Sequence, residues 1–378
     1  MRKFSADKIY TIENGIIENG VLVIDKNNTI VEIGERQNYD IAELEIYNGD
    51  ICPGFVNAHC HIELSHLKNK ITPHTGLVNF IEQLMKVRFE MADDERCQAI
   101  EDAENEMIKN GIVAVGDISN ETISIKQKAK QKLFYHTFIE TVGLNPSIAE
   151  KRYTEAIDLS NQFAEQKLTT TMAPHAPYST SIELMKRIFN KCETSTIHNQ
   201  ETEDEANFFI HKSGNFLSFY KNLNLDISFF NATAINSLQS IIQHLPTQQN
   251  MLFVHNTFAD KHDLKSIKQQ NPNAYLCACA KANLFIENAL PNYNLWFTNF
   301  KNICIGTDSL ASNYSLSIWD EIKTIQHHFA DIPFETILQC ATLNGAKFLN
   351  IDDWAGSIAL GKRPGINIIE NGSCTKLI

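Results

Sequence analysis

Nothing in this sequence marks it for a membrane or for export. No window approaches the ~18 consecutive apolar residues of a membrane-spanning helix. The start, MRKFSADKIYTIENG, has basic residues but no apolar run of signal-peptide length. A positive charge excess is also missing: 33 Lys+Arg against 45 Asp+Glu leave a formal net charge of −12. That argues against a general nucleic-acid binder, which usually presents a basic face. No GxGxxG or GxxxxGK[ST] follows any candidate strand, so neither a dinucleotide fold nor a P-loop is supported. There is no repeat, linker or low-complexity segment. The nine cysteines (52, 60, 97, 192, 277, 279, 304, 340 and 374) are scattered and odd in number. A chain of 378 residues needs no disulfide framework to supplement its core, so they read as reduced thiols of a cytoplasmic protein.

What is present is ordinary globular composition, 43% hydrophobic and 21% charged. Residues 8–35 hold short β-rich runs (KIYTI, GVLVID, TIVEIG) split by Asn-Gly and Asn-Asn turns, and read as a small antiparallel sheet. After residue 50, apolar strands alternate with amphipathic stretches at 93–110, 181–193 and 315–329, the pattern of βα units around a parallel sheet. Eight candidate strands are found at 51–58, 112–118, 133–141, 169–174, 194–198, 251–255, 274–279 and 302–307. The fold expected is α/β: a (β/α)8 TIM barrel over 51–345, with a small β-sandwich subdomain built from both chain ends, 1–50 plus 346–378. A doubly wound open sheet is the weaker alternative.

In such a barrel, reactive groups project from the C-terminal strand ends. Strand 1 ends in Asn57-Ala58-His59-Cys60-His61, strand 4 in Pro174-His175, strand 5 in His198-Asn199-Gln200-Glu201, strand 6 in His255-Asn256 and strand 8 in Thr307-Asp308-Ser309. A lone histidine after a strand is usually structural; five such ends in one chain are harder to explain that way. His59 and His61, two apart on an extended strand, face the same side and can meet one metal ion. A nitrogen from His198 and an oxygen from Asp308 would complete a His3Asp set with an open position, suited to zinc or a similar divalent metal such as iron. His61-Ile62-Glu63 also matches the His-x-Glu of the cytidine-deaminase fold. That fold needs a Pro-Cys-x-x-Cys loop, and here there is only Cys277-Ala278-Cys279.

The segments PGFVNAHCHIELS (53–65), APHAPYS (173–179), HNQE (198–201), VHNT (254–257) and GTDSLASN (306–313) together resemble the amidohydrolase superfamily. The branch is that of mononuclear-metal aminohydrolases, with S-adenosylhomocysteine, methylthioadenosine, guanine and aminodeoxyfutalosine deaminases. The resemblance spans most of the barrel, and the β-rich N-terminus and GSIALGK (356–362) resemble the family's β-subdomain. It implies His59, His61, His198 and Asp308 as metal ligands, Glu201 as proton shuttle, and His255 beside the attacking water. It also implies His175 as a pocket histidine, with Ser309 beside the substrate. Binuclear branches carry a bridging lysine at the end of strand 4; TTTMAPHAPYST (169–180) has none, so one divalent metal is expected. Where the family commonly has Cys-Pro-x-Ser-Asn after strand 7, this chain has Cys279-Ala280-Lys281-Ala282-Asn283, which keeps the Asn. Glu203 and Glu205 read as solvated helix residues, not as the shuttle.

The activity expected is hydrolytic deamination of a 6-aminopurine nucleoside derivative with release of ammonia, a metal-dependent hydrolysis of a cyclic amidine C–N bond. The loop at 74–90 would hold the tail of the substrate, with Glu82 and Arg88 as candidate contacts to a ribose or a carboxylate. Alternatives are deamination of a free nucleobase, hydrolysis of an amide, ester or chlorotriazine on the same metal site, and a barrel retained only for binding. The partner expected is a small molecule, with no nucleic acid and no membrane; a homo-oligomer is compatible with the sequence.

Overall fold

A computed structural model describes all 378 residues. Eight strands are parallel to their neighbours. Four form one sheet: Phe55–Cys60 (β1), Ile112–Ser119 (β2), Phe134–Thr141 (β3) and Thr169–Pro174 (β4), in spatial order 1-2-3-4. Four form a second: Thr194–Asn199 (β5), Asn250–His255 (β6), Ala274–Ala278 (β7) and Ile303–Ile305 (β8), in order 5-6-7-8. The fold is therefore α/β with parallel sheets. The sheets meet at two seams. His198 N–H donates to the His175 carbonyl at 2.8 Å beside β4 and β5. Thr307 and Asp308 N–H both donate to the His59 carbonyl beside β8 and β1, at 3.0 and 3.1 Å.

These strands are apolar on both faces, as parallel strands covered by helices must be. On β6, Leu252 and Val254 belong to an inner cluster with Val56, Ala58, Ala114 and Phe138. Met251 and Phe253, offset by one residue, belong to the outer core against the helices. The amphipathic stretches are the helices Asp93–Lys109, Ile182–Phe189 and Ile318–His328. The first buries Ile100, Ala103, Glu104 and Met107 at helical spacing, and its acidic first turn faces the positive end of the helix dipole. The second is shorter than the stretch at 181–193: it ends at Phe189 with Asn190 as its C-cap, and a turn leads to β5 at Thr194. No helix is long and apolar enough to cross a membrane.

Two expectations are corrected. The candidate strand 51–58 is two strands: Asp50–Pro53 pairs in a small sheet and Phe55–Cys60 in the parallel one. Gly54 makes the transfer, where any Cβ would sit 2.4 Å from Val113 Cγ1 and 2.6 Å from the Pro364 carbonyl. The N-terminal sheet is also not simply antiparallel. Arg2–Ser5, Gly20–Ile24, Ile30–Glu35 and Glu45–Ile46 make a four-stranded sheet, and a five-stranded one joins Lys8–Tyr10, Ile16–Glu18 and Asp50–Pro53 to Ile366–Glu370 and Ser373–Lys376. Two of their pairings, Arg2–Ser5 with Glu45–Ile46 and Lys8–Tyr10 with Asp50–Pro53, are parallel. Phe4, Leu22, Ile24, Ile51 and Ile366 form their shared core.

Candidate active site

The C-terminal ends of the parallel strands open into one cavity of about 570 Å³. At its floor, His59 Nε2 and His61 Nε2 lie 3.1 Å apart, and Asp308 Oδ1 lies 3.6 and 3.3 Å from them. His198 joins the two histidines, with ligand-competent atoms of all three within 4.8 Å of one another. Burial depresses the imidazoles of His59 and His61 to about 4 and that of His198 to about 3, so all three are neutral with lone pairs available. His198 Nε2 is buried and has no hydrogen-bond partner. Tetrahedral ligands ~2.1 Å from a shared ion stand about 3.4 Å apart. The three measured separations bracket that value. The donor set fits one divalent cation of the zinc or iron type.

These groups are braced by hydrogen bonds from the chain around them. Asp308 adopts a left-handed backbone, φ +56°, which is uncommon for a residue with a Cβ. Ser312 Oγ donates to its Oδ2 at 2.6 Å. Asn57 on β1 clasps Thr307, giving its Nδ2 to Thr307 Oγ1 at 2.7 Å and taking Thr307 N–H at 3.1 Å. Behind β1, the ladder to β2 shifts between Asn57 and Cys60. There Asp117 Oδ1 accepts the N–H of Ile62, the residue after His61, at 2.8 Å. Asp117 Oδ2 is paired at 2.6 Å with Lys128, whose fully buried ammonium also donates to Ser119 and Thr137 hydroxyls. That is the buried lysine of this region; it faces away from the cavity.

Glu201 and His255 stand beside the cluster. His255 Nε2 is 3.5 Å from Glu201 Oε1 and 3.1 Å from His198 Nδ1. Its Nδ1 lies 2.7 Å from Asn283 Oδ1, so the Asn kept after β7 fixes the ring, with Nδ1–H as donor and Nε2 free to accept. His255 also has a left-handed backbone, φ +69°. Burial, with the Asp308 charge adding, pushes the Glu201 carboxyl well above its usual range. His175 lines the cavity with its Nδ1 tied to Ser179 Oγ at 2.7 Å, and Ser309 and Arg88 line it too. Glu82 does not join them. It lies on the helix Leu77–Val87 and accepts a hydrogen bond from Asn222 at the surface.

The amidohydrolase family model matches residues 51–376. The chain belongs to the amidohydrolase family. Among its relatives, an adenosine deaminase of Helicobacter pylori (strain ATCC 700392 / 26695) is 28% identical over 371 residues, 93% of this chain and 87% of that one. The crystal structure of H. pylori aminofutalosine deaminase in complex with methylthio-coformycin is similar at a TM-score of 0.82 and 25% identity, over 97% of this chain and 92% of that one. An adenosine deaminase from Xanthomonas campestris, solved with bound zinc, shares the fold at a TM-score of 0.77 and 18% identity, over 99% and 84% of the two chains.

Sequence reading of this amidohydrolase missed several residues. Glu205 is buried, not solvated. It sits in the first turn of the helix Glu203–His211, and its Oε2 accepts the N–H of Glu201 at 3.3 Å. Burial raises its carboxyl to about 7. Glu140 ends β3 inside the cavity, its side chain 7% exposed. The strand-end rule applied to strand 3 would have found it. The outer chamber is apolar, walled by Leu77, Phe80, Leu84, Phe219, Leu223 and Ile227. Its arginines are engaged: Arg88 with Glu121 at 3.4 Å, Arg152 with Glu155 at 2.8 Å.

Proposed function

We propose that this amidohydrolase is a hydrolytic deaminase of 6-aminopurine nucleosides, releasing ammonia and leaving a carbonyl at C6. The observation that carries the reading is a buried carboxyl, Glu201, held beside His255 and a cluster of three neutral histidines with the Asp308 carboxylate at the floor of one cavity. His59, His61, His198 and Asp308 would hold a single divalent ion, zinc by preference and iron as the other candidate. When bound, that ion supplies a water of lowered pKa. Asp308 would take a proton from the attacking water and return it to the departing amino group, so that ammonia leaves. His255 would orient the water and stabilise charge as it adds to C6. Glu201, whose burial favours the protonated carboxyl, gives its proton to the adjacent ring nitrogen and makes C6 electrophilic. His175 packs against the ring. The tail of the nucleoside lies in the outer chamber, whose apolar wall and engaged arginines suit an apolar 5′ substituent better than an anionic one.

The architecture that serves this chemistry is a closed (β/α)8 barrel, its two four-stranded sheets joined at the His175–His198 and His59–Asp308 seams. The two small sheets from both chain ends form a β-sandwich subdomain on it. All nine cysteines are free thiols, in keeping with a cytoplasmic enzyme.

Ammonia release from aminodeoxyfutalosine, methylthioadenosine, S-adenosylhomocysteine, adenosine, adenine and guanine tests the reading. A 5′-substituted nucleoside is expected to give the highest kcat/KM. Hydrolysis of a chlorotriazine, ester or amide with no deamination of any purine overturns it.

A further inference from the structure

The floor of the cavity holds a third carboxylate that the mechanism leaves unused. Glu140 closes β3, and its two oxygens have different surroundings. Oε2 accepts a hydrogen bond from Asn120 Nδ2 at 3.0 Å. Oε1 has no hydrogen-bond donor; the nearest nitrogen, His198 Nε2, is 3.6 Å away. The His198 ring separates the two acids, with Nε2 toward Glu140 and Nδ1 4.0 Å from Glu201. Glu140 and Glu201 thus stand at opposite edges of one imidazole, and both line the cavity.

Asn120 holds Glu140 through one hydrogen bond and is itself fixed by two others. Its N–H donates to the buried Glu63 carboxylate at 2.9 Å, its Oδ1 receives Arg88 Nη2 at 3.4 Å, and its Nδ2 grips Glu140. A carboxylate oxygen that lines a cavity and is fixed by such a chain is an acceptor open to a donor on the substrate, because a bound substrate would displace the water that otherwise serves it. No arginine or lysine reaches it: Arg88 stops at Asn120, and Arg152 is held by Glu155.

We propose that Glu140 is a specificity-determining residue whose Oε1 accepts a hydrogen bond from an O–H or N–H of the substrate. This rests on the nucleoside reading above. Two groups of such a substrate present that chemistry, a ribose hydroxyl and the 6-amino group. Asn120 is the positioning residue that aims the carboxylate.

The test compares wild type, Glu140→Ala and Asn120→Ala on adenosine, 2′-deoxyadenosine, 3′-deoxyadenosine and 6-chloropurine riboside, following the hydroxypurine product, with metal content and Tm measured in parallel. Glu140→Ala is expected to lower kcat/KM on adenosine roughly 10- to 100-fold, the scale for losing a hydrogen bond to a charged group. It should keep about one metal per chain. The loss should shrink to within about threefold on the one analogue that lacks the donor: a deoxy sugar if a hydroxyl is read, the chloro compound if the amino group is. Asn120→Ala should show the same pattern, attenuated. An equal loss on all four compounds overturns the proposal, as does loss of the metal in Glu140→Ala, which would make this residue a ligand. If wild type converts none of the four, the nucleoside reading fails and the proposal with it; wild-type turnover with a uniform mutant loss overturns the role of Glu140 alone.

Discussion

The two ends of the cavity are built on opposite principles. At the floor, polar groups are fixed by specific hydrogen bonds: Asp308 by Ser312, His255 by Asn283, Thr307 by Asn57, and the turn after His61 by Asp117. The outer chamber is walled by the helices Leu77–Val87 and Asn215–Asn222 and by the segment 225–229, with side chains that meet mainly through apolar contact. Several are partly in solvent, with Met85 49% and Leu225 51% exposed. Strand ends in a packed sheet cannot drift, so chemistry is placed there. Apolar walls tolerate changes of shape at small cost, so substrate range is placed there. Changes at the floor should therefore strike kcat or metal, and changes in the chamber KM.

The largest effect that could break this contrast is at the ligand cluster. His59→Ala or Asp308→Ala should bring ammonia release down to background and remove the metal, read by elemental analysis against about one ion per chain for wild type. Two tightly held ions, or activity after thorough chelation, would show that the floor works differently. Next comes Glu201→Gln, which keeps size and polarity but carries no titratable proton. Metal should stay while kcat falls on the order of 10²–10⁴-fold. Wild-type turnover here would pass the shuttle role to another acid, with buried Glu205 first in line.

Bracing at a distance is a sharper test. Lys128→Met leaves Asp117 buried without its cation, and breaking a buried pair costs about 3–5 kcal/mol. A lower urea midpoint is expected. If Asp117 does orient the turn after His61, the metal should also bind roughly 10- to 100-fold more weakly, the usual cost of losing an outer support. Stability loss with unchanged metal affinity would confine the pair to folding.

In the chamber, Leu84→Ala should raise KM several-fold for methylthioadenosine and leave kcat nearly unchanged, the signature of lost uniform binding. Adenosine, with no apolar tail, should be affected less. A fall in kcat instead would erase the division between the two ends. The smallest expected effect is a pH slope. The Glu205 carboxyl sits at about 7 when folded, against 4.5 for the ordinary group. Between those values the unfolded chain has released this proton and the folded chain still holds it, so rising pH favours unfolding. Urea midpoints from pH 5 to 8 should fall more steeply for wild type than for Glu205→Gln.

Much of the floor was legible before the fold was known. His59-x-His61 needs only the period of a strand, and His198, His255 and Asp308 each close an apolar run of strand length. Glu82 and Glu205 show the limit of such reading. Both sit on helices, where sequence spacing assigns a face but not what covers it. The structure turns Glu82 outward to Asn222 and buries Glu205 under Glu201. Glu140 was legible from its place at the end of strand 3, but without a neighbouring histidine it carries no local pattern of its own.

The sequence by itself determined the alternation of strands and helices, the polar strand ends and the paired imidazoles, because these follow from side-chain periods of two and 3.6 along a local segment. Only the tertiary structure decided that Asp308 meets His59 across the seam of β8 and β1, and that Gly54 hands the chain from one sheet to another. It also decided that Lys128 is buried against Asp117 and that Glu140 and Glu201 flank one imidazole. Each of these joins residues that are remote in the chain or set by packing, and burial of a charge depends on what the rest of the molecule lays over it.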